Sequence, residues 1–496
     1  MTLILFNSQQ NQTFMPRIIL PNGSFVFEGL ESQPDIMCTS ETAAYAFVGV
    51  PIAMNTFEIV TIKRDNQSHC VPESKSKTTI DMTHISLTYT GEGFWDKKSH
   101  FTLVNKKSNI KDKFTLDYSY YDSYQADEGN PSGAYIFRPA TPDAKPKLYN
   151  KVQSSKLLLG KHYALLMLTG DQIFTAIIVN DYNDFIRLET TLYGIPYTKQ
   201  GMEVVMRIAS KKINNEKTFY TDSMGLEMQK RVLNYRPSWN LTIEEPVAGN
   251  YYPVNSMIEI HDSKRALEVI VDRAQGGTSL NSGEIELMLQ RRCYRDDYKG
   301  LEQGLNETDP NSPDGKGVTV KSYTHFRIRG TKQEQTVEDT MQYMKMSLES
   351  PPLQLWSASR SSLTKSPLLN LNQQLPSNVK VQVYPEGDRK IFLRVENFME
   401  KFTLDVDAVV NVTDIAVSIA QLTNPMLLSI EEVSNTGLYN MEEMSKKYRW
   451  KGEDFTSPVP DYTTDLERIY LEPQRIRSFR LTFGIQSKDS LVSTIK

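Results

Sequence analysis

Three segments between residues 186 and 290 alternate their side chains with a period of two. Ile186, Leu188 and Thr190 are set against Arg187, Glu189 and Thr191; Leu267, Val269 and Val271 against Glu268, Ile270 and Asp272; Ile285, Leu287 and Leu289 against Glu286, Met288 and Gln290. That is the period of a strand, and it predicts sheets buried on one face. The grammar extends in both directions: short apolar runs at 17–20, 25–27 and 57–62 are separated by Asn-Gly, Gly and Pro signals, and further runs stand at 379–383, 391–395 and 478–483. With 25 Tyr and 20 Phe, residues that favour sheets, the chain is expected to be mainly β.

A chain of 496 residues exceeds one compact core. The polar stretch 71–77 (VPESKSK) has a linker's composition. Near Thr336 the period becomes helical, with Val337, Met341, Met344 and Leu348 in step, Thr336 as a cap and Pro351-Pro352 as a stop. These signals divide the chain into a small β-sandwich (1–73), a large double-sheet domain (78–350) and a terminal β-sandwich domain (353–496). In the last, Asn440 and Glu443 have capping-box spacing, and the helix they open is predicted to turn Leu438, Met441, Met444 and Tyr448 into the core.

A net charge of −4, with Lys and Arg interspersed among Asp and Glu, offers no basic stripe for nucleic acid. No run approaches the ~20 apolar residues of a membrane span, and the apolar stretch 3–6 is shorter than the core of a signal peptide. Six glycosylation sequons stand at Asn11, Asn22, Asn66, Asn240, Asn306 and Asn411. Of the three cysteines, Cys38, Cys70 and Cys293, at least one is unpaired; a Cys38–Cys70 disulfide and buried free thiols both fit.

Self-contained chemistry is hard to find. The six histidines, His69, His84, His100, His162, His261 and His325, form no metal-ligand spacing, and there is no Gly-x-Ser-x-Gly elbow or Walker loop. The Arg-Ala-Gln-Gly-Gly stretch from Arg273 lacks the following Gly-Lys-Ser/Thr and reads as a hairpin loop between two neighbouring strands. Asp127-Glu128 and Asp296-Asp297 read as solvated loop pairs.

Longer segments carry more information. SGAYIFRP (132–139), FYTDSMGLEMQKR (219–231), NYRPSWN (234–240), EPVAGNYYPVNS (245–256), DRAQGG (272–277), GEIELMLQRR (283–292) and DDYKGLEQGLNE (296–307) stand in the order of the lysosomal-type class II α-mannosidases, glycoside hydrolase family thirty-eight. The tail (393–398, 430–450, 470–479) and the opening LILFNS resemble that family's closing domain and the strand after its three-helix domain. The chain is thus similar to the carboxy-terminal β-domain half of these enzymes.

The resemblance implies a galactose-mutarotase-like β-supersandwich for the large domain. It also implies that the family's zinc-bearing α/β-barrel, with its Asp nucleophile and Asp acid for retaining cleavage of terminal α-mannosyl residues, lies outside this chain. A retaining glycosidase needs two carboxyl groups about the scissile bond, so the chain alone is expected to be inactive: no catalytic residue, no metal and no cofactor of its own, with zinc belonging to the full enzyme. Tyr135 matches a tyrosine that touches the sugar, Arg273 an arginine on a loop lining the same pocket, and Gly276 and Gly277 would let that loop approach closely. The implied partners are the amino-terminal catalytic domain and a mannose-containing oligosaccharide, and the implied location is the lysosome, vacuole or secretory pathway. Two alternatives stay open: a free-standing carbohydrate-binding or regulatory β protein, and an unrelated enzyme on the same sheets.

Overall fold

A computed structural model of the chain describes residues 2–6, 12–14, 50–52, 57–61, 69–71, 77–90, 99–126, 129–159, 163–181, 183–310, 315–349, 353–357, 371, 374–387, 389–401, 403–423, 426–446, 451–452, 455–456 and 465–484. The runs at 17–20 and 25–27, Asp127-Glu128, Cys38 and the sequons Asn11, Asn22 and Asn66 lie outside them. Two compact units are present: one contains Lys63–Glu334, the other Gln335–Lys496 together with Met1–Phe14 and Val50–Ile62.

The larger unit is two antiparallel sheets. The nine-stranded sheet runs, in spatial order, Tyr252–Val254, Gln275–Thr278, Glu284–Arg292, Met202–Ser210, Ile110–Asp122, Ser99–Asn105, Ile85–Thr90 and Thr78–Asp81, with Lys147–Leu148 also paired to Ile110–Asp122. The ten-stranded sheet runs Glu227–Val232, Thr218–Ser223, Met257–His261, Arg265–Val271, Val320–Gly330, Ile186–Leu192, Ile173–Asn180, Tyr163–Gly170, Val152–Leu159 and His69–Val71. One apolar core draws on both, including Leu116, Met206, Ile285 and Leu287 from the first and Leu188, Val269, Phe326 and Ile328 from the second. The Tyr118 hydroxyl reaches across to Thr175 Oγ1 (2.8 Å) and Thr190 Oγ1 (2.9 Å), so even the polar group in this layer is satisfied.

Two expectations need correction. Arg265–Val271 and Glu284–Arg292 are not hairpin neighbours: they belong to different sheets, and Gln275–Thr278 between them is itself a strand, paired to Tyr252–Val254 and Glu284–Arg292. Period-two patterning is the same whether two strands share a sheet or face each other across a core. Nor are these strands half-buried. In Ile186–Leu192, Glu189 is 7% and Thr191 1% exposed, because charge pairs such as Arg187–Glu189 (2.7 Å) let polar residues stay inside.

In the smaller unit a four-stranded sheet (Val379–Pro385, Lys390–Asn397, Ile476–Gly484, Met426–Val433) and the pair Ala408–Val410 with Ile469–Leu471 share a core with the helix Val412–Thr423. That helix is absent from the reading of the tail, which has strands and one helix opened at Asn440. Its signal was there: Val412, Ile415, Ala416 and Ile419, all buried, fall at helical spacing, and Asn411 Oδ1 accepts the Asp414 N–H at 2.8 Å as an N-cap. Strand Thr2–Phe6 pairs with both Phe57–Thr61 and Leu353–Ser357. The helix expected near Thr336 begins as a short 3-10 turn, Val337–Asp339, and its α-helical part, Met341–Glu349, is capped by Thr340 Oγ1, which accepts the Tyr343 N–H. At Met441–Lys446 the capping box of Asn440 and Glu443 is present, but Leu438 is 73% exposed and not core, since only six residues of helix follow it.

Candidate functional site

The segment 132–139 leaves the end of strand Ile110–Asp122 and is fastened at its base by Glu203, a fully buried residue of strand Met202–Ser210. Glu203 Oε1 accepts the hydroxyls of Ser132 (2.5 Å) and Ser123 (3.0 Å) and faces the Cys293 thiol at 3.3 Å. Its other oxygen pairs with the Arg291 guanidinium, whose Nη2 also donates to the Ile136 carbonyl at 2.6 Å. Burial opposes the Arg291 charge, but Glu203, then Cys293 and Asp297, raise its pKa above the usual guanidinium range. A buried charge kept in this way requires its partner. Burial pushes the Cys293 thiol up to about 12.

The tip of the segment is held by Asp297. Its Oδ2 accepts the backbone N–H of Tyr135 (2.5 Å) and of Ile136 (3.0 Å). Asp297 is fully buried, which corrects the reading of Asp296-Asp297 as a solvated pair. Gln125 ties the two chain stretches together, accepting the N–H groups of Tyr294 (2.8 Å) and Arg295 (2.9 Å) and donating to the Ser132 carbonyl (2.9 Å). Between these anchors the Tyr135 side chain stands 68% exposed.

On its other side the segment inserts Phe137 against Tyr251 (ring centroids 4.8 Å) and Tyr121 (5.9 Å). Both phenols donate to Glu286 Oε1, Tyr121 at 2.8 Å. Gly276 packs here: a β-carbon on it would lie 3.0 Å from Met288 Sδ and 3.2 Å from Tyr251 Cδ1. Gly277 faces the core instead, where a β-carbon would sit 2.6 Å from Val254 Cγ2. Arg273 is held from the ten-stranded sheet, its Nη1 donating to the Lys321 carbonyl at 2.6 Å, with Asp272 at 3.8 Å. The segments 132–139, 245–256, 283–292 and 296–307 therefore converge, and Gly276 joins them through Tyr251 and Phe137.

Glu203, Gln125 and Ser123 carried no sequence signal, being single polar residues in or beside strands; Tyr251, Glu286 and Arg291 lay inside segments already singled out for another reason. Among the sequons, Asn240 and Asn306 are exposed, Asn306 also accepting from Arg292 Nε at 2.8 Å, and Asn411 serves as the helix cap. Among the described residues no three His, Cys, Asp or Glu side chains come together to hold a metal ion. No helix among them is long and apolar enough to cross a membrane.

Residues 85–299 match the family model described as "Glycosyl hydrolases family 38 C-terminal domain". A probable alpha-mannosidase of Arabidopsis thaliana is 30% identical over 380 residues, covering 71% of this chain and 35% of that protein. The lysosomal alpha-mannosidase of Dictyostelium discoideum is 26% identical over 423 residues (80% and 40%), and that of Bos taurus 30% over 375 (72% and 36%). The chain thus spans little more than a third of the length of these relatives. In fold it is similar to an alpha-mannosidase from Enterococcus faecalis V583, with TM-score 0.56 and 12% identity, covering 97% of this chain and 56% of that one. The converging segments belong to the matched domain or directly adjoin it, and the chain is a member of glycosyl hydrolase family 38, corresponding to the carboxy-terminal β portion of its α-mannosidases.

Proposed function

We propose that this chain works as the carboxy-terminal part of an α-mannosidase that hydrolyses terminal α-mannosyl residues of N-glycan oligosaccharides with retention. The two catalytic carboxyl groups and the zinc would come from the portion that the relatives possess and this chain does not span. Tyr135 supplies an apolar ring face and a hydroxyl to the sugar, Arg273 a guanidinium, and the backbone at Gly276 a close wall, with Gly277 behind it facing the core. The observation that supports this reading is the contrast at 132–139: an exposed phenol on a segment fixed from below by the buried carboxyls Glu203 and Asp297 and the half-buried Arg291. A recognition side chain held on a rigid support loses little freedom on binding. The lysosome or the secretory pathway is the location that fits the relatives' names and the exposed sequons.

The test is hydrolysis of p-nitrophenyl α-D-mannoside by the chain alone and by the chain co-produced with an amino-terminal family portion. The chain alone is expected to be inactive and the assembly active. Tyr135→Phe in the assembly should lower kcat/KM by about tenfold, the worth of one hydrogen bond. An inactive assembly, or a Tyr135→Phe variant equal to wild type, defeats the reading.

A further inference from the structure

The carboxyl of Asp297 is turned to groups far away in sequence. It is fully buried, and one of its oxygens takes both the Tyr135 and the Ile136 N–H groups, from 162 and 161 residues away in sequence. The contact is close enough to dictate a neighbour: a β-carbon on Gly133 would lie 2.8 Å from Asp297 Cβ and 2.9 Å from its Cγ, so the segment closes directly onto this carboxyl. The other oxygen, Oδ1, is buried without a hydrogen-bond partner among the described residues. Keeping a carboxyl in that condition costs free energy, and the backbone of Tyr135 and Ile136 is what its other oxygen holds.

A second support holds the same segment elsewhere. Ser132 and the Ile136 carbonyl are gripped by Glu203 and Arg291, and Arg138 Nε donates to Glu245 Oε1 at 2.9 Å. Glu203 and Arg291 fix the base, whereas among the described residues it is Asp297 that holds the backbone N–H of Tyr135 itself. Two N–H groups converging on one acceptor define the direction of the peptide planes on either side of the Tyr135 α-carbon, and hence the direction in which its phenol leaves the surface.

We propose that Asp297 is a positioning residue that sets the direction of the Tyr135 side chain for substrate, acting through the Tyr135 and Ile136 amides. This rests on the reading of Tyr135 as a sugar contact. It adds a residue to that site which touches no substrate itself.

Amide hydrogen exchange on the full chain tests the mechanical half without any activity. The Tyr135 and Ile136 amides should exchange slowly in the wild type. They should exchange about tenfold to a hundredfold faster in Asp297→Ala, as expected for losing one buried hydrogen bond each. Asp297→Asn, whose carboxamide oxygen can still accept both, should keep most of the protection. Wild-type amides exchanging as fast as an open loop would overturn the proposal, even if the alanine variant fails to fold.

The functional half is a double-mutant cycle in the mannoside-hydrolysing assembly. Asp297→Ala and Tyr135→Phe should each raise KM for p-nitrophenyl α-D-mannoside, and the double variant should be no worse than the poorer single one. Additive losses would mean that Asp297 acts on stability alone and would sink the proposal. A wild-type assembly without hydrolysis would instead defeat the mannosidase reading, leaving the exchange result to decide whether Asp297 holds the segment.

Discussion

On one face of the nine-stranded sheet, Leu116, Met206, Ile285 and Leu287 enter the core shared with the ten-stranded sheet. On the opposite face of the same strands stand Asp117, Glu203, Glu284 and Glu286, and none of them is more than 8% exposed. The burial is similar and the means differ. Apolar side chains leave water with a gain of about 1.5–3 kcal/mol each, whereas the acids remain inside only because each has partners: Arg207 with Asp117 (2.7 Å), Arg291 with Glu203, and two phenols with Glu286. The apolar layer holds the sheets together; the polar layer fixes individual side chains, and it is the polar layer that carries the 132–139 segment. An apolar surface there could have buried Phe137, but it could not have gripped the Ser132 hydroxyl and the Ile136 carbonyl in set directions.

The largest test of this contrast removes one member of a pair. Glu203→Ala should cost about 3–5 kcal/mol in chemical denaturation, because Arg291, largely enclosed, is then left without its counter-charge. Leu287→Ala, the matching truncation on the apolar face, should cost about 2–5 kcal/mol, but only Glu203→Ala should also expose the 132–139 segment to proteolysis below the unfolding transition. Equal protection of the segment in both variants would break the distinction.

The pH dependence sharpens it further, because the outer faces of the two sheets carry opposed groups. Burial pushes the Glu286 carboxyl from 4.5 up to about 7, Tyr251 and Tyr121 pulling it back only in part, with Glu284 adding to the rise and Arg207 opposing it. The folded state therefore holds this proton more tightly than the unfolded chain. Its contribution is complete below pH 4.5 and is lost as the pH rises through 7, about 3 kcal/mol in all. In the ten-stranded sheet, burial and then Arg187 lower His325 from 6.5 to about 3, so its contribution is complete above pH 6.5 and is lost as the pH falls toward 3. Between pH 4.5 and 6.5 the two slopes cancel. Glu286→Gln should make stability fall on acidification across that window, by about 2–3 kcal/mol, and His325→Asn should make it rise by a similar amount. Melting temperatures measured at pH 4.5 and 6.5 decide it; parallel profiles for wild type and both variants would refute the assignment.

The smallest effect belongs to the polar contact inside the apolar layer. Tyr118→Phe deletes the hydroxyl that bridges Thr175 and Thr190, and it should lower stability by about 1–2 kcal/mol with no change in the 132–139 segment. A larger loss would mean that the inter-sheet core depends on hydrogen bonding as much as the outer face does.

Much of this protein was legible in its residues. Period-two alternation at 186–191, 267–272 and 285–290 specified strands, and the capping-box pair Asn440 and Glu443 specified a helix start, because these are contacts between neighbours in sequence. The segment SGAYIFRP was picked out by resemblance before its geometry was known. What alternation cannot encode is the identity of a strand's partner. It left Arg265–Val271 and Glu284–Arg292 looking like a hairpin when they lie in different sheets; Asp297 was read as a solvated loop residue, Glu286 as one side of a half-buried strand, and Glu203 carried no signal, yet all three are buried. Those acids depend on groups that are distant along the chain: Tyr121 is 165 residues from Glu286, and Tyr135 is 162 from Asp297. The sequence by itself determined the elements and the family, since both reside in local order. Only the tertiary structure decided which charges are buried and what they hold, since the partners that make burial tolerable are brought within hydrogen-bond distance by the folding of two sheets.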